Sequence, residues 1–167
     1  MIVRPEVWIT EPDEKEDGLL KVWAASGDTE FPFPVETHHV SLADVTLHED
    51  QAFGLILGCA AKPDVYRDEE AYLTANEHSH MASESVIPVG LFSPPCDGRI
   101  LLNGKVVKTY GDPTGYGFNK DDVLYSLSCL GNEYDAVLDA EHAEGIEIEE
   151  GNIVSCLYWV QGWPEGE

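Results

Sequence analysis

Apolar and polar residues alternate along much of this chain, in short runs that end at turn residues. The clearest run is "DVLYSLSCL", in which Val123, Tyr125, Leu127 and Cys129 fall on one side of a strand with period two. "GN" at 131–132 then turns the chain into "EYDAVLDA", where Tyr134, Ala136 and Leu138 alternate in the same way. The two runs predict an antiparallel hairpin. "AFGLILGCAA" from Ala52 and "IVSCLYWVQGW" from Ile153 are apolar on both faces, which predicts central strands. Near the start, "EVWIT" and "LLKVWAAS" flank the charged segment "EPDEKEDG", as in a hairpin with an exposed loop. "FPFPV" is held extended because a residue before proline avoids helical backbone, and "VSLADVTL" reads as a further strand. "RILLNGKVVKTY" predicts either one long strand bent at Gly104 or two strands joined by an Asn-Gly turn. Helical features gather in "PDVYRDEEAYLTA": Pro63 at a start, acids early, and Val65, Tyr72 and Leu73 on one side.

Short strands, frequent turns and one short helix predict a mainly β fold, either a single OB-like β-barrel or a sandwich. The length of 167 residues suits one β domain over 1–167, with 86–163 its clearest barrel-like portion and 1–85 supplying N-terminal strands and the helix. A core of that size needs neither disulfide nor metal. No apolar run approaches a membrane span, and the opening "MIVRPEVWITEPDEKED" lacks the apolar core of a signal peptide, so a cytoplasmic protein is expected. Cys59, Cys129 and Cys156 sit in apolar runs and Cys96 in "SPPCDG". Without CxxC spacing they read as free thiols, the first three buried.

Charge changes the picture more than composition does. Thirty-two acids against nine Lys and Arg give a net charge of −23, which repels phosphate backbones and disfavours nucleic acid. From Asp121 onward there are twelve acids and no lysine or arginine. Between Gly98 and Lys120 the balance reverses, with Arg99, Lys105, Lys108 and Lys120 against Asp112 alone. An acidic surface of this kind suits a basic protein partner, as in immunity proteins and inhibitors, and also serves plain solubility.

From about Val86 to Trp163, the pieces "ESVIPVGLFSP", "ILLNGKV", "PTGYGF", "YDAVLD" and "GNIVSCLYWVQG" resemble a group of bacterial domains with an OB-like barrel. The resemblance covers roughly the C-terminal half and implies a fold without an activity. A second likeness is local. His78, His80 and Glu84 spell H-x-H-x-x-x-E, which is similar to the first half of the cupin metal motif. On a strand the two histidines would face one way, and imidazoles with a carboxylate suit a divalent metal. The rest of that motif departs: Tyr72 and Leu91 stand where cupins place glycines, and the downstream histidine is His142 in "DAEHAEG". His38 or His39 is the other source of a third ligand.

Catalytic signatures are missing. The chain has no G-x-S-x-G elbow, and "GDPTGYGF" has neither a P-loop ending nor Rossmann spacing. The carboxylate runs Asp68, Glu69, Glu70 and Glu147, Glu149, Glu150 read as solvated faces, since a general acid needs burial or a close like charge. The "GDPTGYGFNK" loop reads as a hairpin tip that offers Asp112, Tyr116 and Phe118 beside Lys108 and Lys120, a partner-binding loop. The expectation is therefore a non-enzymatic binding domain that meets a protein through its acidic surface or this loop, without a cofactor. A cupin-like, metal-dependent enzyme or small-molecule binder built on His78, His80 and Glu84 is the alternative.

Overall fold

The computed structural model describes residues 7–16, 19–26, 33–37, 53–79, 81–87, 89 and 99–164, and side-chain surroundings for 56–79, 81–87, 89 and 99–161. The predicted "VSLADVTL" strand, Cys96, His38, His39 and His80 lie outside the described residues. Among the described residues, ten strands run β1 Val7–Glu16, β2 Leu19–Ser26, β3 Phe33–Thr37, β4 Phe53–Cys59, β5 Asp64–Tyr66, β6 Ser85–Ile87, β7 Arg99–Tyr110, β8 Val123–Cys129, β9 Asn132–Leu138 and β10 Ile153–Pro164. Helix α1 covers Glu69–Ala75, and the single turn α2 covers Ala140–Ala143.

Strands β7, β8 and β9 form an antiparallel meander, and β10 returns to pair with β7. That order, fourth beside first, second and third, is a Greek key. Strand β4 then closes the ring, antiparallel to β10 and parallel to β9. The result is a closed five-stranded barrel, which bears out the single-barrel expectation. The barrel draws on both halves of the chain, because β4 comes from the portion ahead of residue 86. The β1–β2 hairpin joins the same sheet through β3, which runs parallel to β10.

Alternation decides what lines the interior. Tyr125, Leu127 and Cys129 of β8, Tyr134, Ala136 and Leu138 of β9, and Val154, Cys156, Tyr158 and Val160 of β10 form one buried cluster with Leu57, Ile100 and Leu102. Tyr125 and Tyr158 meet hydroxyl to hydroxyl at 2.7 Å, so two buried phenols satisfy each other. Burial pushes both well above the ordinary tyrosine range and keeps them protonated.

Local expectations are settled in several places. "RILLNGKVVKTY" is one strand, β7, not a hairpin. A Cβ at Gly104 would lie 3.0 Å from the Ser128 carbonyl oxygen, so glycine lets β7 and β8 approach. The helix starts later than Pro63 suggests: Asp64–Tyr66 is strand β5, and the Asp68 carboxylate caps α1 by accepting from the Ala71 N–H at 2.8 Å. The β8–β9 hairpin turns on Leu130 and Gly131, both at positive φ, one residue ahead of the predicted "GN".

Candidate functional site

Strands β7 and β9 run the same way, so the β7–β8 and β9–β10 connections emerge at the same end of the barrel. Asp122 ties them together. One of its carboxylate oxygens accepts from the Asn119 N–H at 3.0 Å and the other from the Ala140 N–H at 3.1 Å. The lysine-bearing loop and the lysine-free acidic segment are therefore neighbours.

The β7–β8 connection is ordered by local hydrogen bonds. Pro113–Tyr116 form one 3-10 turn, capped by Asp112, whose carboxylate accepts from the Thr114 N–H and hydroxyl. Those bonds hold the Asp112 carboxyl below the ordinary aspartate range. Gly117 ends the turn at φ 89, a left-handed conformation that favours glycine. Tyr116 is exposed and packs edge-on against Tyr110 at 5.1 Å between ring centroids. The Lys108 ammonium lies 4.6 Å from the centre of the Tyr110 ring. Phe118 is half-buried, and Lys120 is exposed. Lys108 and Tyr116 thus share Tyr110 as a platform.

Beneath this platform lies a polar cluster that gave no signal in the sequence. The Tyr110 hydroxyl donates to Asp135 at 3.2 Å and sits 3.1 Å from the Ser126 hydroxyl, which itself donates to the same carboxylate. Asp135 and Ser126 are buried on the outward side of β8 and β9, opposite the Tyr125–Tyr134 side. In OB barrels that face carries the ligand. Here it holds a buried carboxylate, Asp135. Burial raises the Tyr110 hydroxyl above its ordinary range, so it stays a donor.

The β9–β10 connection is built differently. Ile146 and Ile148 pack against the core, while Glu144, Glu147, Glu149 and Glu150 are exposed. Buried Asn152 fixes this backbone from below. Its side-chain oxygen accepts from the Glu149 N–H at 2.8 Å, its amide donates to the Arg67 carbonyl at 3.2 Å, and its own carbonyl accepts from the Val106 N–H at 2.8 Å. In the α2 turn, His142 Nδ1 lies 2.7 Å from the Asp139 carboxylate. The alternation of isoleucine and glutamate in "IEIEE" is thus that of an anchored rim.

The metal candidates fall apart from this end. Residues 76–79 form a turn after α1 rather than a strand, and His78 projects into solvent beside Glu77 at 3.3 Å. Glu84 accepts from the Leu130 N–H at 3.3 Å, at the far end of the barrel. Among the described residues, no three His, Cys, Asp or Glu side chains converge to hold a metal. No described helix is long and apolar enough to cross a membrane. Neither a protein-family model nor a curated protein sequence matches the chain.

Proposed function

We propose that this protein works by binding a basic protein partner, with the Asp139–Glu150 connection as the contact surface. An immunity- or inhibitor-like role is the concrete form of that reading. The observation that carries it is the anchoring of the exposed carboxylates by Ile146, Ile148 and Asn152. Acids on a fixed backbone lose little freedom when they meet a cation, so charge complementarity reaches binding free energy with a small ordering cost. The net charge of −23 adds long-range attraction that speeds encounter with a cationic surface.

The test separates a local rim from bulk charge. Protein immobilised on beads is exposed to host extract, and retained partners are identified and challenged with rising salt. Two variants each lose four charges: Glu144, Glu147, Glu149 and Glu150 changed to Gln, or Glu69, Glu70, Glu77 and Glu133 changed to Gln. The proposal expects a basic partner that releases steeply with salt, is lost in the first variant and is kept in the second. Equal retention by both variants would show bulk charge alone and defeat the assignment of the rim.

A further inference from the structure

The two thiols near this end of the barrel face each other. Leu57 of β4 lies opposite Val160 of β10, and the Ala60 N–H donates to the Leu157 carbonyl at 2.8 Å. That register sets Cys59 opposite Tyr158 and Ala61 opposite Cys156. The cysteines therefore hold diagonal positions on one face of adjacent antiparallel strands. Both belong to the interior cluster, packed beside one another. Cys59 also lies 3.5 Å from the Tyr125 hydroxyl, and the Cys156 thiol points at the Ala61 carbonyl at 3.4 Å.

Three observations set this pair apart from a merely buried one. Cys59 keeps 8% of its surface exposed and Cys156 3%, whereas Cys129 has none. The backbone beside the pair is already irregular: Leu57 pairs with Val160 but Val65 with Val154, a two-residue slip across Ala60–Pro63. A groove of about 490 Å³, lined in part by Lys62, Pro63, Val65 and Ile146, opens next to that slip. A disulfide needs Cα atoms within about 7 Å, while diagonal neighbours start about 7–8 Å apart, so bridging the pair calls for a small approach of the two strands.

We propose that Cys59 and Cys156 form a peroxide-sensitive dithiol, in which Cys59 reacts first and Cys156 resolves it to an intramolecular disulfide. The Cys59 thiolate attacks one peroxide oxygen, the O–O bond breaks, and the released hydroxide takes a proton to leave as water. The Cys156 sulfur then attacks the sulfenic sulfur of Cys59, and its thiol proton passes to the departing oxygen. The S–S bond forms as the S–O bond breaks, and the second oxygen leaves as water. Two thiols lose two electrons and two protons, and one peroxide becomes two waters. The order of attack has a local cause. The neighbouring Cys156 thiol, helped by the Tyr125 hydroxyl, holds the Cys59 thiol below the ordinary cysteine range despite burial. The same contact and burial push Cys156 above it.

The experiment uses the folded full chain carrying Cys96→Ser, treated with hydrogen peroxide and then alkylated after unfolding. The expected result is an intact-mass loss of two hydrogens, two thiols lost, a Cys59–Cys156 linked peptide, and full reversal by dithiothreitol. Cys59 should oxidise at least about tenfold faster than Cys129, whose thiol is pushed up to about 12 by burial. In a Cys156→Ala variant that keeps its far-UV circular dichroism, oxidation should stop at a Cys59 sulfenic acid that dimedone traps. Persistence of both thiols in the folded parent protein, or loss of Cys59 and Cys129 at one rate, overturns the proposal without recourse to any further variant.

Discussion

The β9–β10 and β7–β8 connections leave the same end of one barrel, yet they are held in place by different means. The acidic connection is anchored downward: Ile146 and Ile148 pack on the core, and Asn152 bonds the segment to Arg67 and Val106. The lysine-bearing connection is held chiefly by local bonds, the Asp112 cap and the Tyr110–Tyr116 contact, with Pro113 buried and Asp122 as its link to the neighbouring segment. Anchoring to the core makes a segment's geometry part of global stability, whereas local capping leaves it free to melt alone. The difference teaches where a fixed charge surface is to be sought, and it ranks the substitutions that test it.

The largest effect is expected at Asn152. Alanine there strips the acceptor from the Glu149 N–H and the donor from the Arg67 carbonyl, in a buried setting. Leaving such groups unpaired costs about 1–3 kcal/mol, so the urea midpoint should fall clearly at unchanged slope. Ile146→Ala comes next. Ile146 is half-buried, so losing its apolar contact should cost about 1 kcal/mol. Both variants should also weaken partner capture, because they loosen the backbone that carries Glu147 and Glu149. Full stability loss with unchanged capture would break the link between anchoring and binding.

On the other connection, Tyr110→Phe removes the hydroxyl that donates to Asp135 and contacts Ser126 while keeping the ring under Tyr116 and Lys108. The loss should be about 1 kcal/mol by chemical denaturation. Capture of a basic partner should not change. A Tyr110→Phe variant that lost binding would move the contact surface to the β7–β8 loop.

The same contrast explains what could be read in the sequence. The β8–β9 hairpin was legible because Tyr125, Leu127, Tyr134 and Ala136 obey period two and pair locally. The barrel closure was not, since β4 meets β9 in parallel across a long stretch of chain and no local pattern encodes that contact. The helix start was misplaced because Pro63 imitates a first-turn proline, while Asp68 with Glu69 and Glu70 is the real capping signal. The isoleucine–glutamate alternation of the acidic rim is present in the sequence, but a charge run marks Glu147, Glu149 and Glu150 as a solvated face and does not show that Ile146 and Ile148 reach the core. Asn152, Ser126 and Asp135 gave no signal, because their roles depend on partners brought by the fold. The Cys59–Cys156 diagonal needed the β4–β10 register.

The smallest effect, and the one that isolates local capping, concerns Asp112. Its folded carboxyl titrates below the ordinary value of 3.8 because Thr114 donates to the charged form. A depressed acid contributes stability that is present above the unfolded value and is lost as pH falls through the lower folded value. Acidification through that window should therefore release the 3-10 turn at Pro113–Tyr116, while the core-anchored acidic connection keeps its hydrogen bonds. Amide NMR of Thr114 reads the first and of Glu149 the second, since each donates to the side chain in question. Asp112→Asn retains an acceptor without the charge, so the Thr114 transition should vanish while the turn persists. Coincident transitions at Thr114 and Glu149 would mean that the two connections melt together through their Asp122 bridge, and the contrast between local and core anchoring would have to be abandoned.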